Sequence, residues 1–189
     1  MIFHELGQSG GFGKGKAIQM KAREPAADAT SVAASSSQVA AASETEKFIG
    51  TWKLVRAVNE EQTTGRKTDI YKGTPVGFMN FAPDGRFIAM VVDSSRQKPA
   101  GNVPTAAEAE GLFRTMVAYA GSYVVKGSQV INHVDISWNE TWTGTDQFRT
   151  FKFDGKQLHL STSPSPNPLT GQLGTRTLSW ERTKQVVGG

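Results

Sequence analysis

The sequence predicts an all-β protein: a closed antiparallel barrel of about eight strands with one short helix between strands 3 and 4. Three observations carry this reading. From Glu46 onward the chain falls into short segments in which polar and apolar residues alternate, the period of a strand with one buried face. Tight turn signals join consecutive segments at Pro83-Asp84-Gly85, Gly127-Ser128 and Asp154-Gly155, where glycine supplies the positive φ that a hairpin needs. The first segment opens with Gly50-Thr51-Trp52 and the last closes with Trp180-Glu181-Arg182, and a barrel closes by pairing its first strand with its last.

The elements follow in order. Strand 1 spans Phe48–Val58. Strands 2 and 3, Val76–Ala82 and Arg86–Val92, flank the first hairpin turn. The helix follows Pro104 and begins with Thr105-Ala106-Ala107-Glu108, a capping box in which Thr105 and Glu108 satisfy each other's free backbone N–H groups. Ala109, Leu112, Phe113, Met116 and Val117 then keep helical spacing and form one apolar face. Such a helix either packs on the barrel or covers one end as a lid. Strands 4 and 5, Tyr119–Lys126 and Gln129–Ile136, and strands 6 and 7, Gln147–Phe153 and Gln157–Thr162, form two more hairpins. Pro164, Pro166 and Pro168 punctuate a loop that either rims a barrel mouth or makes a plain surface excursion, and strand 8 is Arg176–Arg182.

Composition sets the outer limits. Residues 1–45 are rich in Gly, Ala and Ser with little to bury, and read as an unstructured extension; 46–183 form the barrel domain, and 184–189 a short disordered end. The hydrophobic share of 38% is low for a compact domain, but much of the deficit lies in that extension, so the remainder still supplies a core. There is no cysteine, which removes disulfides and thiolate metal sites and favours a reducing compartment. Glu5 and Gln8 interrupt any signal-peptide core, so the expected location is cytoplasmic, with a transit peptide as the open alternative. No apolar run is long enough for a membrane span. The net charge of +4 comes from basic residues that stand singly among acids, not as the clustered stripe of a nucleic-acid binder.

The chemistry-bearing residues are few. His4, His133 and His159 have no metal-ligand spacing, so no metal is expected. No nucleophile elbow, phosphate loop or dinucleotide fingerprint is present, and no cofactor is implied. On strand 6, Gln147, Arg149, Phe151 and Phe153 share one face, while Phe148, Thr150 and Lys152 share the other, wetter one. An inward Arg149 needs a carboxylate partner or a ligand bearing an anion or carbonyl; the alternative is an arginine at the rim with its head in water. On strand 5, apolar-inside logic turns Val130, Asn132, Val134, Ile136 and Trp138 inward and leaves His133 and Asp135 exposed. In the opposite register His133 and Asp135 would join Arg149 as an acid–base group, and a single bulge decides between the two. Tyr119 and Tyr123 alternate inward with Gly121, and Trp138 and Trp142 flank the loop after strand 5.

Several of these stretches carry a family resemblance. They are Ile49 to Val55, Phe81-Ala82-Pro83-Asp84-Gly85-Arg86, Ala120-Gly121-Ser122-Tyr123, Trp142 to Arg149, Phe153 to Leu158, and Leu178 to Arg182. Over about residues 46–183 the chain resembles the small lipocalin-like domain family of microbial proteins, a calycin-type barrel. The resemblance implies a small-molecule cavity, and a tryptophan, Trp52, plugging the closed end under Arg182 or Arg176. The helix and the absence of cysteine depart from the long secreted lipocalins, so transport of retinol-like ligands does not carry over, and no catalytic set is transferred.

The expected function is binding of a small, largely apolar molecule bearing a carbonyl or carboxylate. Arg149 and Gln147 would fix its polar end; Tyr119, Tyr123, Asn132, Trp138, Trp142 and Phe151 would line the site. The alternative is a cofactor-free isomerase, cyclase or hydratase acting on a polyketide- or terpenoid-like substrate, with His133 and Asp135 as the acid–base pair. The expected partner is a small molecule, not nucleic acid.

Overall fold

The computed structural model describes residues 44–71, 73–166 and 173–184. Among them ten strands join in one antiparallel sheet: β1 (Gly50–Glu61), β2 (Lys67–Asp69), β3 (Val76–Phe81), β4 (Arg86–Val92), β5 (Met116–Lys126), β6 (Gln129–Ser137), β7 (Asp146–Asp154), β8 (Gln157–Ser161), β9 (Ser165–Pro166) and β10 (Leu173–Arg182). Neighbours in the sheet follow chain order from β3 to β8, and β1 pairs with both β3 and β10. That last pairing closes the sheet, so β1, β3 to β8 and β10 form an eight-stranded barrel. The short strands β2 and β9 extend β1 and β10 past the barrel wall. Because β2 intervenes, the helix α1 (Ala106–Arg114) lies between β4 and β5 rather than between strands 3 and 4. The expected extension before residue 44, the tail from 185 and Pro168 lie outside the described residues.

Local chemistry accounts for the elements. The turn glycines expected at the hairpins take positive φ, 81° at Gly85 and 58° at Gly155. The capping box forms: Thr105 Oγ1 accepts from Glu108 N–H, and Glu108 accepts from Thr105 N–H at 2.8 Å. The helix is shorter than its periodicity predicts. Met116 and Val117 belong to β5, opposite Val92 and Val91, because a strand pairing there satisfies more backbone groups than another helical turn.

Two irregularities re-aim side chains. β1 shifts register against β10 between Leu54 and Arg56, and along its other edge it pairs with β3 through its first half and with β2 through its second. The β5–β6 ladder shifts between Ala120 and Gly121, so Gly121 faces Val134 while Ala120 faces Ile136, and Asp135 is the extra residue. Gly121 is required there: a Cβ would stand 1.8 Å from the carbonyl oxygen of His133. Beyond the bulge the alternation reverses. Ile136, expected inward, is exposed on the outer face.

The closed end is a plug of aromatic rings. Residues 44–48 make a helical turn that drops Phe48 into the barrel floor. Its ring meets Phe81, Phe151 and Phe153 edge-on at 5.2, 4.9 and 5.3 Å. Trp52 Nε1 donates to Phe48 O at 2.7 Å. Arg182 lies 4.3 Å from the Trp52 ring and donates to the carbonyls of Ile49 and Lys47. Of the two candidate arginines, Arg182 covers the tryptophan.

Candidate functional site

Above that floor the interior wall changes character. By alternation β7 turns Gln147 and Arg149 inward above Phe151 and Phe153, and β10 turns Arg176 inward above Leu178 and Trp180. β8 stands between these two strands. Just past its end, Thr162 Oγ1 accepts from Arg176 N–H at 3.1 Å. Arg176 is opposite Asn59 of β1, and Gln147 is opposite Asn132 of β6. A polar arc therefore runs around the inside of the wall: Asn132, Gln147, Arg149, Arg176 and Asn59.

The arc is rich in donors, and the buried acid that follows Asn59 on the same face of β1, Glu61, is taken by Arg66 and Thr64. Arg149 donates to Gln147 Oε1 at 3.3 Å and to Phe148 O at 2.8 Å. Arg176 donates to Ser165 Oγ at 2.5 Å and Pro166 O at 3.4 Å, contacts that tie β9 to the barrel. Among the described residues neither guanidinium has a carboxylate partner. Burial holds the Arg176 pKa below the usual arginine value, and the neighbouring charge of Arg149 pushes it the same way. Asn132 is 0% exposed, and its amide oxygen and nitrogen have no partner; neither does Asn59 Oδ1. Polar atoms left open inside a barrel cost stability, and an occupant that hydrogen-bonds to them would return it.

An aromatic wall gathers at the start of β5 and the end of β6. Trp142, in the 3-10 turn Glu140–Trp142, meets Tyr119 at 5.4 Å and Trp138 at 4.9 Å, and Trp138 meets Phe113 of α1 at 6.5 Å. Tyr71, after β2, packs on the core; burial raises its pKa and the charge of Asp93 adds to the effect. Tyr71 also lines a hollow of about 350 Å³, with Ala57, Arg56 and Asp69, in the gap along β1 between β3 and β2. A second hollow, of about 740 Å³, lies outside the plug beside Phe78 and Arg182. Neither is lined by Arg149 or Arg176.

The sequence pattern of the lipocalin-like domain matches residues 49–183, the whole barrel from just before β1 to just after β10. The chain belongs to the lipocalin-like domain family. No curated protein matches it. A lipocalin-like barrel suggests small-molecule binding in a cavity, and no helix among the described residues is long and apolar enough to cross a membrane.

Within this lipocalin-like barrel the residues singled out from sequence divide into three groups. Arg149, Gln147, Asn132 and Phe151 turn inward, and Tyr119 with Trp142 and Trp138 forms the aromatic wall. Tyr123 also turns inward but belongs to the floor: its hydroxyl donates to Ala82 O at 3.1 Å and its ring meets Phe81 at 4.8 Å. His133 and Asp135 lie on the outer face, where His133 Nδ1 is 2.8 Å from Asp146 and Asp135 accepts from Arg86 at 2.6 Å. The arrangement in which this pair shares the interior with Arg149 is not formed, because the bulge falls after His133 and leaves that residue in the outward register. Arg176 and Asn59 were missed as site residues. Alternation with Leu178 and Trp180 was signal enough for Arg176, whereas the Leu54/Arg56 shift hid the inward phase of Asn59.

Proposed function

We propose that this barrel binds a small, largely apolar molecule with a carboxylate head group, held by Arg149 and Arg176 with help from Gln147 and Asn59. One observation carries the reading: Arg149 and Arg176 share the inward phase of β7 and β10, the charge of one acts on the other, and among the described residues neither has a carboxylate partner. A bound carboxylate would supply the missing charge, satisfy several donors at once and relieve the repulsion. A neutral carbonyl would answer only the hydrogen bonds, so the acid is the better fit. Tyr119, Trp142 and Phe151 would face its apolar body.

The test is calorimetric titration of the full chain with decanoate and cinnamate, each beside its methyl ester. The acids should bind at least about tenfold more tightly than their esters, the size of a charge-assisted hydrogen bond. Equal affinity within each pair would contradict the assignment of the arginines to a head group.

A further inference from the structure

Outside the barrel, three successive rows across β3, β4 and β5 present mainly apolar side chains to solvent, with Asn80 of β3 as the polar member of the third row. Val76 lies opposite Val92; Phe78 lies opposite Met90, which in turn faces Ala118; Ile88 lies opposite Ala120. The bulge at Asp135 adds Ile136 to this block, opposite Ala120. Val76, Phe78, Ile88, Met90 and Ile136 are 48–66% exposed. Single exposed apolar residues are ordinary, but a contiguous block of this kind marks an association surface.

We infer that this face is a two-fold interface between copies of this chain. Its border is the next register row, where Arg86 pairs with Asp135 and His133 with Asp146. On the β1 side the border adds exposed Lys53, opposite Phe78, so the fixed charges of Lys53 and Arg86 balance those of Asp135 and Asp146 and select neither an acidic nor a basic partner. An apolar centre with a border of mixed sign is complementary to itself, which a two-fold contact requires. The area also fits. These side chains expose on the order of 500–600 Å² per copy, so a pair that covered them completely would bury roughly 1,000–1,200 Å², the size of a weak, transient interface. The expected assembly is a reversible dimer.

Size-exclusion chromatography with light scattering on the full chain, over a concentration series, tests this. The wild type should show twice the chain mass and move toward the monomer on dilution. Ile88→Glu with Met90→Glu sets like charges against each other across the contact and should weaken association at least about tenfold. At a dilution where both proteins are monomeric its melting temperature should match that of the wild type, since both side chains point to solvent in the single chain. Ile136→Glu, on a different strand, should act the same way and serves if the double variant does not fold. A wild type that stays monomeric at every concentration overturns the inference; that includes the case in which residues 1–43 cover this face. A dimer that survives both variants overturns it too.

Discussion

The two ends of the barrel interior are built from the same alternating strands but satisfy their polar groups differently. At the closed end Trp52, Tyr123 and Arg182 each donate to a backbone carbonyl, and the rings pack edge to face. Trp180 Nε1 is the exception there. From Asn132 toward the opposite end, buried amides lack partners and two arginines repel. One end is organised for stability. The other keeps open valences of the kind that a ligand fills, at some expense to the empty fold.

That contrast can be broken most forcefully at the floor. Trp52→Ala should destabilise the protein by about 3–5 kcal/mol, the usual result of emptying a large aromatic site. Arg182→Ala should cost only roughly 0.5–2 kcal/mol, because its ring contact is exposed on one side. Urea unfolding measures both, and equal losses would mean that the arginine holds the floor together as much as the ring does.

Gly121→Ala probes the hinge between the two halves. A Cβ 1.8 Å from the His133 oxygen forces the bulged strand to move, with an expected loss of about 1–3 kcal/mol. A neutral result would show that the Asp135 bulge relaxes freely, and that the outward setting of His133 is not fixed.

The smallest effect belongs to the helix cap. Glu108 accepts from Thr105 and Ala100 backbone N–H groups, which hold its pKa below the ordinary 4.5. Its contribution is therefore complete above that value and is lost as pH falls through the lowered folded value. The melting-temperature gap between wild type and Glu108→Gln should narrow on acidification through this window. A gap independent of pH would mean that the carboxylate is not what caps the helix.

Much of this was legible in the sequence. Hairpin glycines and strict alternation located eight strands and turned Gln147, Arg149 and Phe151 inward, because a period of two leaves no choice once one face is wet. What escaped had local causes. β2 and β9, at three and two residues, are too short to show a period. Met116 and Val117 fit a helical face as well as a strand, and only the pairing with β4 decides. The bulge at Asp135 reverses the phase of Ile136, which converts an expected cavity residue into part of an exposed apolar face. Arg176 was given a role beside Trp52 because two arginines share the last strand; the register puts Arg182 opposite Trp52 and Arg176 opposite Asn59, toward the other end of the barrel.

The central claim is that the end opposite the floor gives up some stability for a head-group site. Arg149→Met tests it most directly, since methionine keeps the packing of the stem and deletes only the charge. Unfolding is followed with and without decanoate. Without ligand the variant should be as stable as the wild type or more so, because one of two repelling cations is gone. With ligand, the stabilisation seen in the wild type should shrink by about 1.5–3 kcal/mol of binding energy. A variant that loses stability when empty, yet gains as much from decanoate as the wild type does, would contradict the account.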